Sequence, residues 1–235
     1  MFPETQYAHD PRVVAALPVA ARARFLSRVY AHLFGALVGF TLIEVALFST
    51  GAAYTIAEQM LGVSWLLVLG GFVVVSMLAT RAAHTSTNRL AQYAALAAFV
   101  AAEALIFVPM LVIAELQAGG GVIASAGFVS LAGFAGLTCI GLFSRKDFSF
   151  LRGLLMWGGI GALILIVAAV VFGLHLGVFF SVAMVVLAGA AILYDTQKIL
   201  HEYPEDRYVG ASLQLFASVA MLFWYVLRIF MASRD

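Results

Sequence analysis

The chain has 235 residues, of which 64% are hydrophobic and 11% charged, with a mean hydropathy of +1.04 and a net charge of +1. A soluble domain carries about 25% charged residues, so this chain cannot cover its apolar surface with polar groups in water. The composition predicts an all-α membrane protein surrounded by the lipid bilayer. A net charge of +1 says nothing about nucleic acid, but no basic patch interleaved with aromatic residues occurs, so no nucleic-acid partner is expected.

The first 28 residues contain three prolines and four arginines. They lack the apolar core and the cleavage site of a signal peptide. We therefore predict that residues 1–28 form a cytoplasmic N-terminal tail and that residues 29–235 form a transmembrane domain. Part of the tail, residues 13–28, mixes alanine, valine and arginine, and an orientation along the membrane surface is the alternative.

Hydropathy predicts seven membrane-spanning helices. A bilayer core requires about 20 consecutive apolar residues per helix. The runs that meet this length are approximately residues 29–50, 62–80, 90–114, 122–143, 151–174, 177–197 and 210–231. A count of six would merge the fifth and sixth runs into one of about 45 residues, roughly twice the length that a bilayer accommodates.

The basic residues predict the orientation of these spans. Eleven of the thirteen lysines and arginines precede the first run or lie in every second connection, and only Arg228 and Arg234 fall on the opposite side. Cytoplasmic loops carry the excess of lysine and arginine. The N-terminus is therefore expected in the cytoplasm and, with seven spans, the C-terminus outside.

Three acidic residues lie within the predicted spans: Glu44, Glu103 and Asp195. At 1.5 Å per residue, Glu44 and Glu103 lie roughly 22 Å and 20 Å along outward-running helices, and Asp195 roughly 27 Å along an inward-running helix. An ionisable group at membrane depth is costly, so a chain that retains one is expected to use it. We interpret these acids as an outer pair and an inner gate residue that respond to protons or cations.

Other interpretations of the three acids remain open. Asp195 precedes Lys198 by three residues on one helical face, so a local ion pair at the membrane edge is the alternative to a gate. Glu44 and Glu103 can instead be protonated and hydrogen-bonded to backbone or hydroxyl groups.

The sequence gives no support to catalysis or to a cofactor. No cluster of histidine, cysteine, aspartate and glutamate has the spacing of a zinc site. Ser130, Ser181 and Ser218 have no neighbouring histidine in the sequence to activate them. We therefore predict no enzymatic activity, no metal site and no cofactor.

Several short motifs occur in an order and spacing that resemble a known family. They are Ile192-Leu193-Tyr194-Asp195-Thr196, the stretch Arg145-Lys146-Asp147-Phe148-Ser149-Phe150-Leu151, the ending Ala232-Ser233-Arg234-Asp235, and Arg28-Val29-Tyr30 at the start of the first span. With them the chain resembles the Bax inhibitor-1 family, and more closely its YccA-like bacterial branch, from about residue 22 onward. The resemblance implies a seven-transmembrane-helix bundle with the C-terminal helix central and six helices around it.

The resemblance also implies an ion-leak function for part of the family. Members with two facing aspartates, on the sixth and seventh spans, behave as pH-sensitive calcium leaks in which the pair shares a proton. Asp195 matches the first of these positions, and the second falls on Ser218. A serine cannot share a proton as a carboxylate does, so the pair is incomplete. The family's second-span arginine also has no counterpart between Gly62 and Thr80.

The YccA-like branch likewise lacks the aspartate pair, and its members are similar to substrates and modulators of FtsH, a membrane-anchored ATP-dependent protease. The resemblance therefore implies a regulatory protein of the bacterial inner membrane that restrains such a protease and affects membrane-protein turnover, with residues 1–24 as the segment that the protease grips. The alternative is a pH-gated calcium or cation leak that uses Asp195 and Ser218, with Ca²⁺ or H⁺ as permeant or regulator. A scaffold without transport is the third interpretation.

Overall fold

A computed structural model describes residues 13–119, 121–144 and 146–233. Features predicted on residues 1–12, Arg145, Arg234 and Asp235 lie outside the described residues. Within them the helices are α1 (Val19–Ser49), α2 (Ala52–Leu61), α3 (Trp65–Thr85), α4 (Arg89–Gln117), α5 (Val122–Phe143), α6 (Leu151–Phe172), α7 (Gly177–His201) and α8 (Tyr208–Ala232). All except α2 are long and apolar enough to cross a membrane. This confirms the predicted all-α architecture with seven transmembrane helices.

The first transmembrane helix begins ten residues before the predicted boundary. It starts at Val19, directly after Pro18, whose ring restricts the backbone to an angle suited to a helix start. Alanine and arginine, which dominate the following residues, favour helix. Ala21, Phe25 and Val29 are buried at a spacing of four residues, so one face of this extension packs against the bundle. Residues 19–28, predicted as tail, are therefore helical.

The short helix α2 was not predicted, because its ten residues lie in what hydropathy indicates is a connection. It follows Gly51, whose φ of 75° is a left-handed conformation that glycine adopts readily. Ala53 and Ala57 of α2 are buried against Val108 and Val112 of α4. The connection between the first two spans thus folds back onto the bundle.

Two helices share the interior of the bundle. Helix α8 packs against α1, α3, α4, α5 and α7, while α4 packs against α1, α2, α3, α5 and α8. In contrast, α6 contacts α7 and, to a small extent, α3. A larger share of the apolar stretch is buried in α4 than in α8. That the C-terminal helix alone occupies the centre of the bundle therefore stays a prediction.

The connection between α7 and α8 is held by two other parts of the chain. It contains Tyr203 and a 3-10 turn at Glu205–Arg207. The Val14 backbone N–H donates to the Tyr203 carbonyl oxygen at 2.9 Å, and the Val14 side chain is fully buried. The Arg207 guanidinium donates to the Ser86 carbonyl oxygen between α3 and α4. These contacts restrain the ends of α7 and α8, which form the most extensive helix pair described.

Candidate functional site

Asp195 of α7 lies against α8 in the interior of the bundle. Its side chain is only 4% exposed. The Ser218 hydroxyl donates to Asp195 Oδ2 at 2.7 Å, a short hydrogen bond of the kind that a carboxylate accepts. The Gln214 amide nitrogen lies 3.4 Å from both carboxyl oxygens, at the long end of hydrogen-bond distances. One buried acid is thus bonded to two polar side chains of the last helix.

The local sequence explains why α8 presents two polar groups at this point. Gln214 and Ser218 are four residues apart, so they lie on one face of α8, about one turn from each other. Helices α5 and α7 also approach closely beside the site. A Cβ atom added at Gly141 would come within 2.9 Å of the Thr196 side chain. The missing side chain at Gly141 therefore leaves room for the residue next to Asp195.

The structure does not form the ion pair considered for Asp195 and Lys198. The one ion pair found within the described ranges joins Arg207 and Asp206 at 3.4 Å. The Lys198 ammonium instead lies over the Tyr194 ring, 5.8 Å from its centroid. The interior contact with Ser218, rather than an ion pair at the membrane edge, is the interaction that holds the Asp195 side chain.

A cavity of about 1260 Å³ opens beside Asp195. Residues of α3, α4, α6, α7 and α8 line it, most of them apolar. Asp195, Gln214 and Ser218 contribute to its wall, and so do Glu103 of α4 and Arg228 near the end of α8. Polar groups thus occur at several positions within a mainly hydrophobic cavity.

The two outer acids line different cavities. Glu103 is 8% exposed and shares the cavity of Asp195. Glu44 is 7% exposed and lines a second cavity of about 740 Å³, whose wall is formed by α1, α4, α5 and α8. Both carboxyl oxygens of Glu44 lack a hydrogen-bond partner within the described part of the chain. The hydrogen-bonded alternative therefore does not hold for Glu44, and the proposed outer pair is divided between two cavities.

The loop between α5 and α6 is attached to α7 two residues after Asp195. The Gln197 side chain accepts the Phe148 N–H at 2.8 Å and donates to the Lys146 carbonyl oxygen at 2.6 Å. Within the same loop, the Ser149 backbone N–H and hydroxyl donate to Asp147 and lower the pKa of that carboxyl below its usual value. The motif that begins at Arg145 therefore contacts Gln197, the residue that directly follows the motif ending at Thr196.

Two polar side chains near the site were missed by the sequence analysis. The first is Gln214, which the sequence could have revealed because it lies one helical turn before Ser218 and faces the same way. The other is Tyr203, whose hydroxyl forms a hydrogen bond with His84 Nε2 at 2.9 Å. Burial, with the nearby charge of Asp195 adding to it, raises the pKa of the Tyr203 hydroxyl above its usual value. His84 and Tyr203 are separated by 119 positions in the sequence, so no local pattern could reveal this contact.

The fold and this site define a multi-pass membrane protein with a buried acid between its last two spans. Residues 22–235 match the model of a family described as inhibitor of apoptosis-promoting Bax1. The match covers nearly the whole chain, so the protein belongs to the Bax inhibitor-1 family.

Individual relatives match a shorter part of the chain. A stretch of 98 residues is 38% identical to the "Modulator of FtsH protease YccA" of Escherichia coli K12 and to the "Inner membrane protein YccA" of Escherichia coli O6:H1. An uncharacterized protein of Pseudomonas aeruginosa is 36% identical over 98 residues. Each match covers 40% of this chain and 43% of the relative. The family and YccA names describe regulators or membrane proteins rather than enzymes.

Proposed function

We propose that the protein is an inner-membrane modulator of a membrane-anchored ATP-dependent protease of the FtsH type, and that it affects the turnover of other membrane proteins. The observation that carries the proposal is the 38% identity to a relative named as a modulator of FtsH. The distribution of basic residues supports a cytoplasmic N-terminus and an external C-terminus. In this orientation the start of the chain is on the side where ATP is available.

The packing of the N-terminal segment suggests how the protein could occupy such a protease without being degraded. A protease that pulls on residues 1–12 first meets residues 13–17, where Val14 is fully buried and bonded to the connection between α7 and α8. Extraction of α1 then requires separation from α4 and α8. The protein thus offers an N-terminal segment to grip and opposes removal with its most buried helices.

Deletion of residues 2–12 tests this proposal. The deletion leaves Val14 and its contact with Tyr203 in place, so the bundle is expected to remain folded. It should remove most of the protease that co-purifies with the 235-residue chain and restore degradation of a membrane substrate. A Glu58→Gln variant, altered on α2 at the other end of the bundle, is the control. Unchanged recovery after the deletion would exclude the N-terminal grip, and no recovery with the intact chain would exclude the function.

The Asp195 site supports a second candidate, a pH-gated calcium or cation leak. The supporting observation is that Asp195 contacts Ser218 across the α7–α8 interface, in the cavity that Glu103 also lines. This candidate ranks second because a serine replaces the second aspartate of the leak members. Glu44, in a separate cavity, would contribute only indirectly.

Proteoliposomes loaded with a calcium-sensitive dye test the second candidate. Flux that depends on pH should be lost in Asp195→Asn and retained in Asp147→Asn, which makes the same change in an exposed loop. Ser218→Asp places a second carboxylate opposite Asp195 and should increase the flux. Traces without flux for both the wild type and Ser218→Asp would eliminate the leak.

A further inference from the structure

Two arginines at the end of the bundle where α1 and α4 begin face the same aromatic ring. The guanidinium carbon of Arg28 lies 5.6 Å from the centroid of the Tyr208 ring, and that of Arg89 lies 4.8 Å from it. Both distances are within the range of cation–π contacts. The two guanidinium carbons are consequently within about 10 Å of each other. Two positive charges are thus held together by α1, α4 and the first residue of α8.

In the described ranges, carboxylates do not neutralise this pair. Over residues 13–119, 121–144 and 146–233, no carboxylate oxygen lies within 4 Å of either guanidinium group. Arg89 donates to the backbone carbonyl of Asp206 at 3.0 Å, while the Asp206 carboxylate pairs with Arg207. The Asp206 carboxylate is therefore already engaged. Two adjacent cations without a counter-ion among the described side chains favour a bound anion.

Neighbouring side chains add a hydrogen-bond donor to this cluster. The Tyr93 and Tyr208 hydroxyl oxygens are 2.8 Å apart. Because a single proton forms that bond, the other hydroxyl proton is available to a ligand. The His32 ring stacks on Tyr93 with a centroid distance of 5.5 Å and holds it in place. Its Nδ1 donates to the Arg28 carbonyl oxygen at 2.7 Å, which joins Arg28 and His32 on α1.

The surroundings indicate which anion would bind. Leu90, which directly follows Arg89 on α4, is 74% exposed. In a membrane protein such exposed apolar side chains face lipid, and tyrosine and arginine concentrate at the headgroup level. A guanidinium group binds phosphate oxygens through parallel N–H donors. The ligand therefore has a phosphate group next to hydrocarbon.

We propose that Arg28, Arg89 and the free hydroxyl proton of the Tyr93–Tyr208 pair bind the phosphate of one anionic phospholipid headgroup, with the acyl chains beside Leu90. The lipid bridges the third turn of α1 and the start of α4 at the membrane surface. Bound there, it also stabilises the position of Tyr208, where α8 begins. Inorganic phosphate offers the same anionic oxygens without the chains, so the two sources can be distinguished.

Native mass spectrometry of the 235-residue protein tests the proposal. The protein is released from nanodiscs that contain equal amounts of phosphatidylglycerol and phosphatidylcholine, and the retained lipids are counted. The wild type should retain one phosphatidylglycerol in preference to phosphatidylcholine. The Arg28→Gln/Arg89→Gln variant should bind it about thirtyfold less tightly, the order expected when two basic side chains leave an anionic-lipid site. Arg24→Gln/Arg81→Gln, with the same change in charge outside the cluster, should resemble the wild type.

Equal losses in the two double variants, or no preference for phosphatidylglycerol in the wild type, would overturn the proposal. Displacement of the lipid by excess inorganic phosphate supports the phosphate contact. If inorganic phosphate stabilised the protein against unfolding and phosphatidylglycerol did not, the lipid would be ruled out as the ligand. If the glutamine variant does not fold, Arg28→Lys/Arg89→Lys replaces it. This pair keeps the charge but not the parallel donors, so unchanged retention there would also overturn the proposal.

Discussion

Replacement of Ser218 by alanine should weaken the bundle through one identifiable hydrogen bond. The Ser218 hydroxyl is 2.7 Å from Asp195 Oδ2, and both side chains are buried. In the variant, Asp195 keeps only Gln214, at 3.4 Å. A hydrogen bond to a charged group contributes about 1.5–3 kcal/mol and a neutral one about 0.5–1.5 kcal/mol. The expected loss in the free energy of unfolding is therefore about 1–3 kcal/mol.

Ser130→Ala provides the matched control. Ser130 is also buried, at 2% exposure. Its hydroxyl donates at 2.7 Å to the carbonyl oxygen of Ala126, one turn earlier in the same helix. This bond joins no two helices and has an uncharged acceptor. Thermal unfolding in detergent, followed by circular dichroism, should show a larger decrease in melting temperature for Ser218→Ala, at about 2–4 °C per kcal/mol for a chain of this length.

A double-mutant cycle with Asp195→Asn separates the energy of the Ser218–Asp195 hydrogen bond from the other effects of removing the hydroxyl group. Asparagine keeps an acceptor for the serine but has no charge. If the acceptor is ionised in the wild type, Ser218→Ala should cost about 1 kcal/mol less in the Asp195→Asn background. Equal effects of Ser218→Ala and Ser130→Ala, together with a coupling energy near zero, would refute the assignment of Ser218 as the main partner of Asp195.

Two further substitutions test the packing around the site. Gly141→Ala should destabilise the protein by about 1–3 kcal/mol because the added methyl group collides with Thr196. Gly136→Ala, with open space around its Cβ position, should have little effect, and equal melting temperatures would contradict this packing. Tyr203→Phe removes the hydrogen bond to His84 and should cost about 0.5–1.5 kcal/mol in chemical denaturation; a variant as stable as the wild type would show that the bond contributes nothing.

The sequence predicted much of this architecture because hydropathy depends on local composition. Runs of about 20 apolar residues require transmembrane helices, whatever their neighbours are, so seven spans followed from the sequence without knowledge of their packing. The intramembrane position of Asp195 followed in the same way. Its partner on α8 required more, since Ser218 was identified only by the resemblance to the family.

Only the tertiary structure decided which groups meet. In lipid, most faces of these helices are apolar, so hydropathy does not determine how each helix is rotated; close packing of side chains does. This rotation turns Asp195 towards Ser218 and separates Glu44 from Glu103 into two cavities. Val14 pairs with Tyr203 from the other end of the chain for the same reason. Such contacts depend on the relative positions of distant segments, which no local pattern contains.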